Sequence, residues 1–191
     1  VRKEILVTTI ALFFFFPLLA QTSYQAKETN MTIAGTSTLH DWVSKVLDVE
    51  ASGNFVVNDK VVEDIQNLKV SIKVKSIESP KGRIMDNKTY DALKEEDNPF
   101  IKFTLTKINS AETTYFGQQM EVAGKLTIAG KTLPVTMDVK GKVESNGDLK
   151  FEGSKELNMR DFEMDPPKAM LGAIKTGESV TIDYSITFSK S

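Results

Sequence analysis

The sequence predicts an all-β domain of about eight antiparallel strands, and three observations carry the prediction. Apolar and polar residues alternate through several separate runs, the period of a half-buried strand. Glycine-containing pairs sit between neighbouring runs at hairpin spacing. One segment alone, Lys81 to Lys94, follows a helical period.

Taken in chain order, Thr29–Gly35 and Val43–Val57 read as less regular strands. The first clear alternation sets Leu68, Val70, Ile72 and Val74 against Lys69, Ser71, Lys73 and Lys75. Its lysines belong to a solvated face. Lys81 to Lys94 places Met85, Thr89, Ala92 and Leu93 on one side of a helix, with charged residues opposite. Asn98-Pro99 ends it, because the residue before a proline is pushed out of the helical region. Glu95-Glu96-Asp97 reads as a solvated helix end. Ile101, Phe103 and Leu105 then form one strand face, and Met120, Val122, Gly124, Leu126 and Ile128 the next. Ala129-Gly130 follows as a tight turn, since glycine accepts positive φ. Leu133, Val135, Met137 and Val139 form the returning strand, and Asn146-Gly147 is a further hairpin signal. Leu149–Leu157 is an irregular strand. Arg160 to Thr176 is irregular, holds Pro166-Pro167 and has room for a short helical turn. Val180, Ile182, Tyr184, Ile186 and Phe188 close the list as the apolar face of the last strand.

So little helix cannot cover the apolar face of an open sheet. Two closures solve this: a barrel, which also removes exposed edges, and a two-sheet sandwich with a solid core. Alternation alone does not choose between them. An eight-stranded barrel is just wide enough to be filled by side chains or to hold one slender ligand.

Composition narrows the chemistry. The chain has 191 residues, 24 Lys+Arg against 26 Asp+Glu, and a formal net charge of −2. That balance argues against nucleic-acid binding, which needs a basic surface. Cysteine is absent and His40 is the only histidine. Disulfides, thiolate catalysis and cysteine- or multi-histidine-based metal sites are thereby excluded within one chain.

The first residues have their own logic. Val1-Arg2-Lys3-Glu4 is slightly basic, Ile5 to Leu19 is apolar, and Ala20-Gln21 is a small residue before a polar one. This is the pattern of a signal peptide, short for a bilayer span of roughly 20 residues, with an uncleaved membrane anchor as the alternative. The expectation is a signal peptide over 1–20, a domain over 21–191, and no stable membrane span after processing. An exported chain without disulfides fits a periplasm.

Several motifs fail on inspection. Gly124 to Thr132 resembles a phosphate-binding loop, but it has the wrong glycine spacing and runs through a strand–turn–strand pattern instead of opening a helix. A serine triad has only His40 available as its base, with Asp41 as an adjacent orienter. Asp161, Glu163 and Asp165 alternate in the irregular stretch and read as a surface acidic loop, with cation binding as the alternative.

Four segments then fall into one pattern: Gly35-Thr36-Ser37-Thr38-Leu39-His40-Asp41-Trp42, Asn98-Pro99-Phe100-Ile101-Lys102-Phe103, Gly124 through Val135, and Pro166 through Gly177. In order and spacing they resemble the YceI-like family of polyisoprenoid-binding, lipocalin-like periplasmic proteins. The resemblance implies an eight-stranded antiparallel barrel with an apolar interior that accepts an isoprenoid chain, to which the helical readings above add one or two short capping helices. It implies no catalytic residues.

The expected function is therefore that of an exported, periplasmic binding protein holding an isoprenoid or related lipid, for transport, storage or sequestration. No other cofactor and no metal are expected. The candidate lining residues are Val70, Ile72, Phe103, Leu105, Leu126, Met137 and Tyr184, with Trp42 and Met170 at the mouth or in a capping loop. Two rivals stand beside it: a filled barrel acting through its surface as an interaction or stress-response module, and a periplasmic enzyme built on His40 and Asp41. Oligomeric state is left open.

Overall fold

The structure is a computed structural model that describes residues 21–169 and 172–191. The expected signal peptide and Met170 lie outside those residues. Eight long strands form the wall: β1 (Thr22–Ser37), β3 (Val49–Asn58), β4 (Val61–Lys73), β6 (Phe100–Thr114), β7 (Gly117–Ile128), β8 (Lys131–Val143), β9 (Leu149–Asn158) and β11 (Ile174–Lys190). They run β1-β3-β4-β6-β7-β8-β9-β11, and β11 pairs back onto β1, so the antiparallel sheet closes as a barrel. Three short strands are added at one end. β2 (Trp42–Val46) pairs with β1, β5 (Ile77–Glu78) with β2, and β10 (Lys168–Ala169) with β11. The barrel, and not the sandwich, is the solution this chain adopts.

The predicted alternation sets the inner face. Met120, Val122, Leu126 and Ile128 are all buried along β7, while Glu121, Lys125 and their neighbours point outward. The turn after β7 carries positive φ at both Ala129 (50°) and Gly130 (85°), the geometry that matches strand twist in a two-residue hairpin. The β8–β9 turn differs from expectation. There Gly147 takes φ 85° while Asn146 does not, and Glu144 N–H donates to the Asp148 carbonyl at 2.8 Å across a wider loop.

Val43–Val57 is not one strand. It breaks at Leu47-Asp48, where both backbone N–H groups turn to Ser76, at 3.1 Å to its carbonyl and 3.0 Å to its Oγ. The break lets β2 pair with one half of β1 and β3 with the other.

One end of the barrel is closed by aromatic packing. Phe55 is fully buried, with ring centroids 5.3, 5.8 and 5.4 Å from Tyr24, Phe151 and Phe188. On the same side β4 and β6 part company, since their ladder runs only from Lys69–Thr104 to Lys73–Phe100. Buried Gln118 of β7 fills in for the missing strand. Its Oε1 accepts from Val62 N–H at 2.7 Å and its Nε2 donates to Val62 O at 3.1 Å.

At the other end lies helix α1 (Arg83–Ala92), inside the predicted segment and ended by Lys94 at φ 53°. Two details were not foreseen. Asp86 is buried on the helix, its carboxylate accepting Ser79 N–H at 2.7 Å. Glu95 is not simply solvated, because Lys75 Nζ lies 3.0 Å from its carboxylate. Leu93 is only 6% exposed and belongs to the core. Leu93→Asp should cost about 2–3 kcal/mol, because it places a charge there without a partner. Urea unfolding measures this, and a change below about 0.5 kcal/mol would show that this residue contributes nothing to the docking of the helix.

Candidate functional site

The interior is not filled. A chamber of about 150 Å³ occupies the middle of the barrel and a larger one of about 350 Å³ lies toward the helix end. They share a neck of Ile33, Ile101, Ile128, Leu157 and Ile182. All seven inward candidates line the middle chamber: Val70, Ile72, Phe103, Leu105, Leu126, Met137 and Tyr184. They come from β4, β6, β7, β8 and β11, so barrel closure is what brings them together. Trp42 lines the outer chamber, with its indole N–H donating to Thr36 O at 3.0 Å.

Two glycines shape the middle chamber. A Cβ at Gly124 would collide with the Phe103 ring, and one at Gly153 with the Tyr184 hydroxyl. Each aromatic side chain therefore lies across a gap left by a glycine on the adjacent strand. That draws the ring toward the wall and leaves room beside it.

Among the described residues, only Tyr184 and Lys155 bring strongly hydrogen-bonding side chains to the middle chamber. The Tyr184 hydroxyl is buried with no hydrogen-bond partner among the described residues. Burial, and then the Asp138 charge, push its pKa up from about 10 to about 12. The folded form thus holds this proton more tightly than the unfolded chain. The associated stability is present below pH 10 and is lost as the pH rises toward 12. Between pH 9 and 11.5 the wild type should lose about 2 kcal/mol more than Tyr184→Phe. Urea unfolding at the two pH values reads the difference, and parallel losses would refute the assignment.

The outer chamber holds residues that sequence reasoning did not select. Leu39, Met159, Phe162, Met164, Pro167 and Ile174 line it, largely from the β1–β2 turn and the stretch before β11. Leu39 is 67% exposed. These segments lack a strand period, so only their position at the barrel mouth reveals them.

The residues of the rival readings make other contacts. His40 Nδ1–H donates to the Asp41 backbone carbonyl at 2.9 Å, an interaction that does not use the carboxylate. In the acidic stretch, Glu163 pairs with Lys131 and Asp165 with Arg160, each at 2.6 Å. The phosphate-loop look-alike is the β7–β8 hairpin.

A closed eight-stranded antiparallel barrel around an apolar cavity defines a lipocalin-like architecture. The chain belongs to the YceI-like family: residues 21–188 match the YceI-like domain. Its fold is similar to that of BcnA from Burkholderia cenocepacia, at TM-score 0.65 and 16% identity, over 83% of this chain and 95% of that one. It is also similar to a polyisoprenoid binding domain from Saccharophagus degradans implicated in plant cell wall breakdown. There the TM-score is 0.66 and the identity 9%, over 90% of this chain and 100% of that one. A Campylobacter jejuni YceI protein gives TM-score 0.60 and 16% identity with both chains covered at 100%. No curated protein matches the sequence.

Proposed function

We propose that this chain is a binding protein, not an enzyme, and that it holds an apolar chain-like lipid in its barrel. The carrying observation is the middle chamber, whose wall is apolar except for Lys155 and Tyr184. A filled barrel would have no such space. Each methylene-sized group moved there from water is worth roughly 0.8 kcal/mol, so a prenyl tail binds by burial alone. Val70, Ile72, Phe103, Leu105, Leu126, Met137 and Tyr184 would contact the chain, with Trp42 near its outer end. The likeness to a domain named for polyisoprenoid binding supports an isoprenoid or related lipid. Export to a periplasm through residues 1–20, and a role in transport, storage or sequestration, complete the reading.

Native mass spectrometry of the protein purified from its own host tests it. The expected species begins at Gln21 and carries one lipid mass. A species that retains Phe13 to Phe16 would defeat the signal-peptide reading and support a membrane anchor. Ligand-free protein that also fails to bind added isoprenoid would defeat the carrier reading and favour the surface-acting module.

A further inference from the structure

The barrel wall has an opening in its side. The β8–β9 ladder runs from Val143–Leu149 only as far as Val139–Gly153. Beyond it, Lys131–Asp138 pairs with β7 alone, and Ser154–Asn158 pairs with β11 alone. At the rise of a strand, the unpaired stretch of β8 is roughly 25 Å long. Side-chain burial marks the same boundary. Val139 is buried, whereas Leu133, Val135 and Met137, on the same inner face of β8, are half-buried.

The lips are held by side chains. Lys131 Nζ and Glu163 form an ion pair at 2.6 Å at the outer end. Midway, Lys155 Nζ donates to Thr136 O at 2.9 Å, taking a carbonyl that a β9 N–H would otherwise occupy. Lys155 is itself an anomaly. It follows Gly153 and precedes Leu157 on the inward face, and it lines the middle chamber. An ammonium deep in an apolar interior is heavily penalised. Here its stem can border the cavity while its head reaches water through the gap. The β4–β6 gap is different, because buried Gln118 seals it with two backbone hydrogen bonds.

We infer that the β8–β9 seam is a lateral portal for the tail of the chain-like lipid, latched by Lys155. The inference rests on the lipid-carrier reading. The two chambers hold about 150 and 350 Å³, the scale of a drug-sized ligand. A longer prenyl chain must leave the barrel somewhere, and this seam opens directly from the middle chamber between Met137 and Lys155. Its opening breaks the two side-chain latches and loosens the packing of the turn Met159–Phe162 on β8, but it breaks no ladder hydrogen bond.

The test locks and unlocks the seam. If the Val139–Gly153 register were continued, Thr136 would stand opposite Glu156, and both side chains are exposed. Thr136→Cys with Glu156→Cys introduces the only two cysteines of the chain. Geranylgeraniol, an isoprenoid alcohol, is the probe, and Trp42, the single tryptophan, reports its arrival in the outer chamber. Stopped-flow mixing compares the oxidised and reduced forms of the double variant. Oxidation should slow entry and release by about tenfold or more, as closing a gate does. Lys155→Met should speed both several-fold. Equal rates in oxidised and reduced protein, with Lys155→Met at the wild-type rate, would overturn the portal while leaving the carrier reading intact. Absence of any saturable Trp42 signal in wild type would overturn both.

Discussion

Phe55→Ala should destabilise the protein by about 3–5 kcal/mol, the usual range for deleting a fully buried aromatic ring. Phe55 has no solvent exposure and touches Tyr24, Phe151 and Phe188 with centroid separations of 5.3 to 5.8 Å. Those four rings come from β1, β3, β9 and β11, so they tie the first wall strands to the last. None of the four lines the neck; Phe151 and Phe188 border the middle chamber, while Phe55 and Tyr24 line neither chamber, so the truncated site is screened from the cavity by the other rings. The void therefore costs both transfer free energy and lost dispersion contacts. Denaturant unfolding of ligand-free protein measures the loss. A cost below about 1.5 kcal/mol would mean that this end collapses around the missing ring. Ligand affinity should change far less than stability, because Phe55 itself lines neither chamber.

This division between a packed end and an open interior was only partly legible in the sequence. Alternation found the inner faces of β7, β8 and β11 because those strands keep a strict period of two. It lost the first half of β4, where inward residues Val62, Ile65 and Leu68 are spaced by three. The cause is physical: the β3–β4 register shifts twice, and Asn67 sits at φ 54°. A bulge adds one residue and inverts the apparent face. The same happens in β1, where a shift between Ala26 and Glu28 hid Tyr24 from a strand that seemed to begin at Thr29. Seven lining residues could nonetheless be named, since any inward residue of a small barrel must face the axis. Lys155 could not, because its inward register contradicts its charge until the seam beside it is seen. The outer-chamber residues could not either, since turns carry no period.

Whether an inward residue fills a core or borders a cavity was the distinction alternation could not draw, and one pair of variants draws it. Phe103 lies over Gly124 with one side toward the middle chamber, and Ile72 borders that chamber from β4. Both side chains are half-buried in the folded chain, although each points inward. In a filled core Phe103→Ala costs about 3–5 kcal/mol. Here the ring already forgoes contacts on its chamber side, so ligand-free protein should lose about 1–2 kcal/mol. Ile72→Trp would overpack a solid core by about 1–3 kcal/mol. In this barrel the indole has about 150 Å³ to enter, so stability should fall by less than about 1 kcal/mol. Binding should respond in the opposite proportion. An indole in the middle chamber occupies the volume that the prenyl chain needs. If it displaces four or five methylene-sized groups, the forfeited burial is roughly 3–4 kcal/mol, equivalent to a loss of affinity of a hundredfold or more. Urea unfolding of delipidated protein and isoprenoid titration, run on both variants, read the two quantities separately. Stability losses of about 3 kcal/mol or more in both, with wild type binding no isoprenoid, would show that the barrel behaves as a solid core and that its partners lie on its surface.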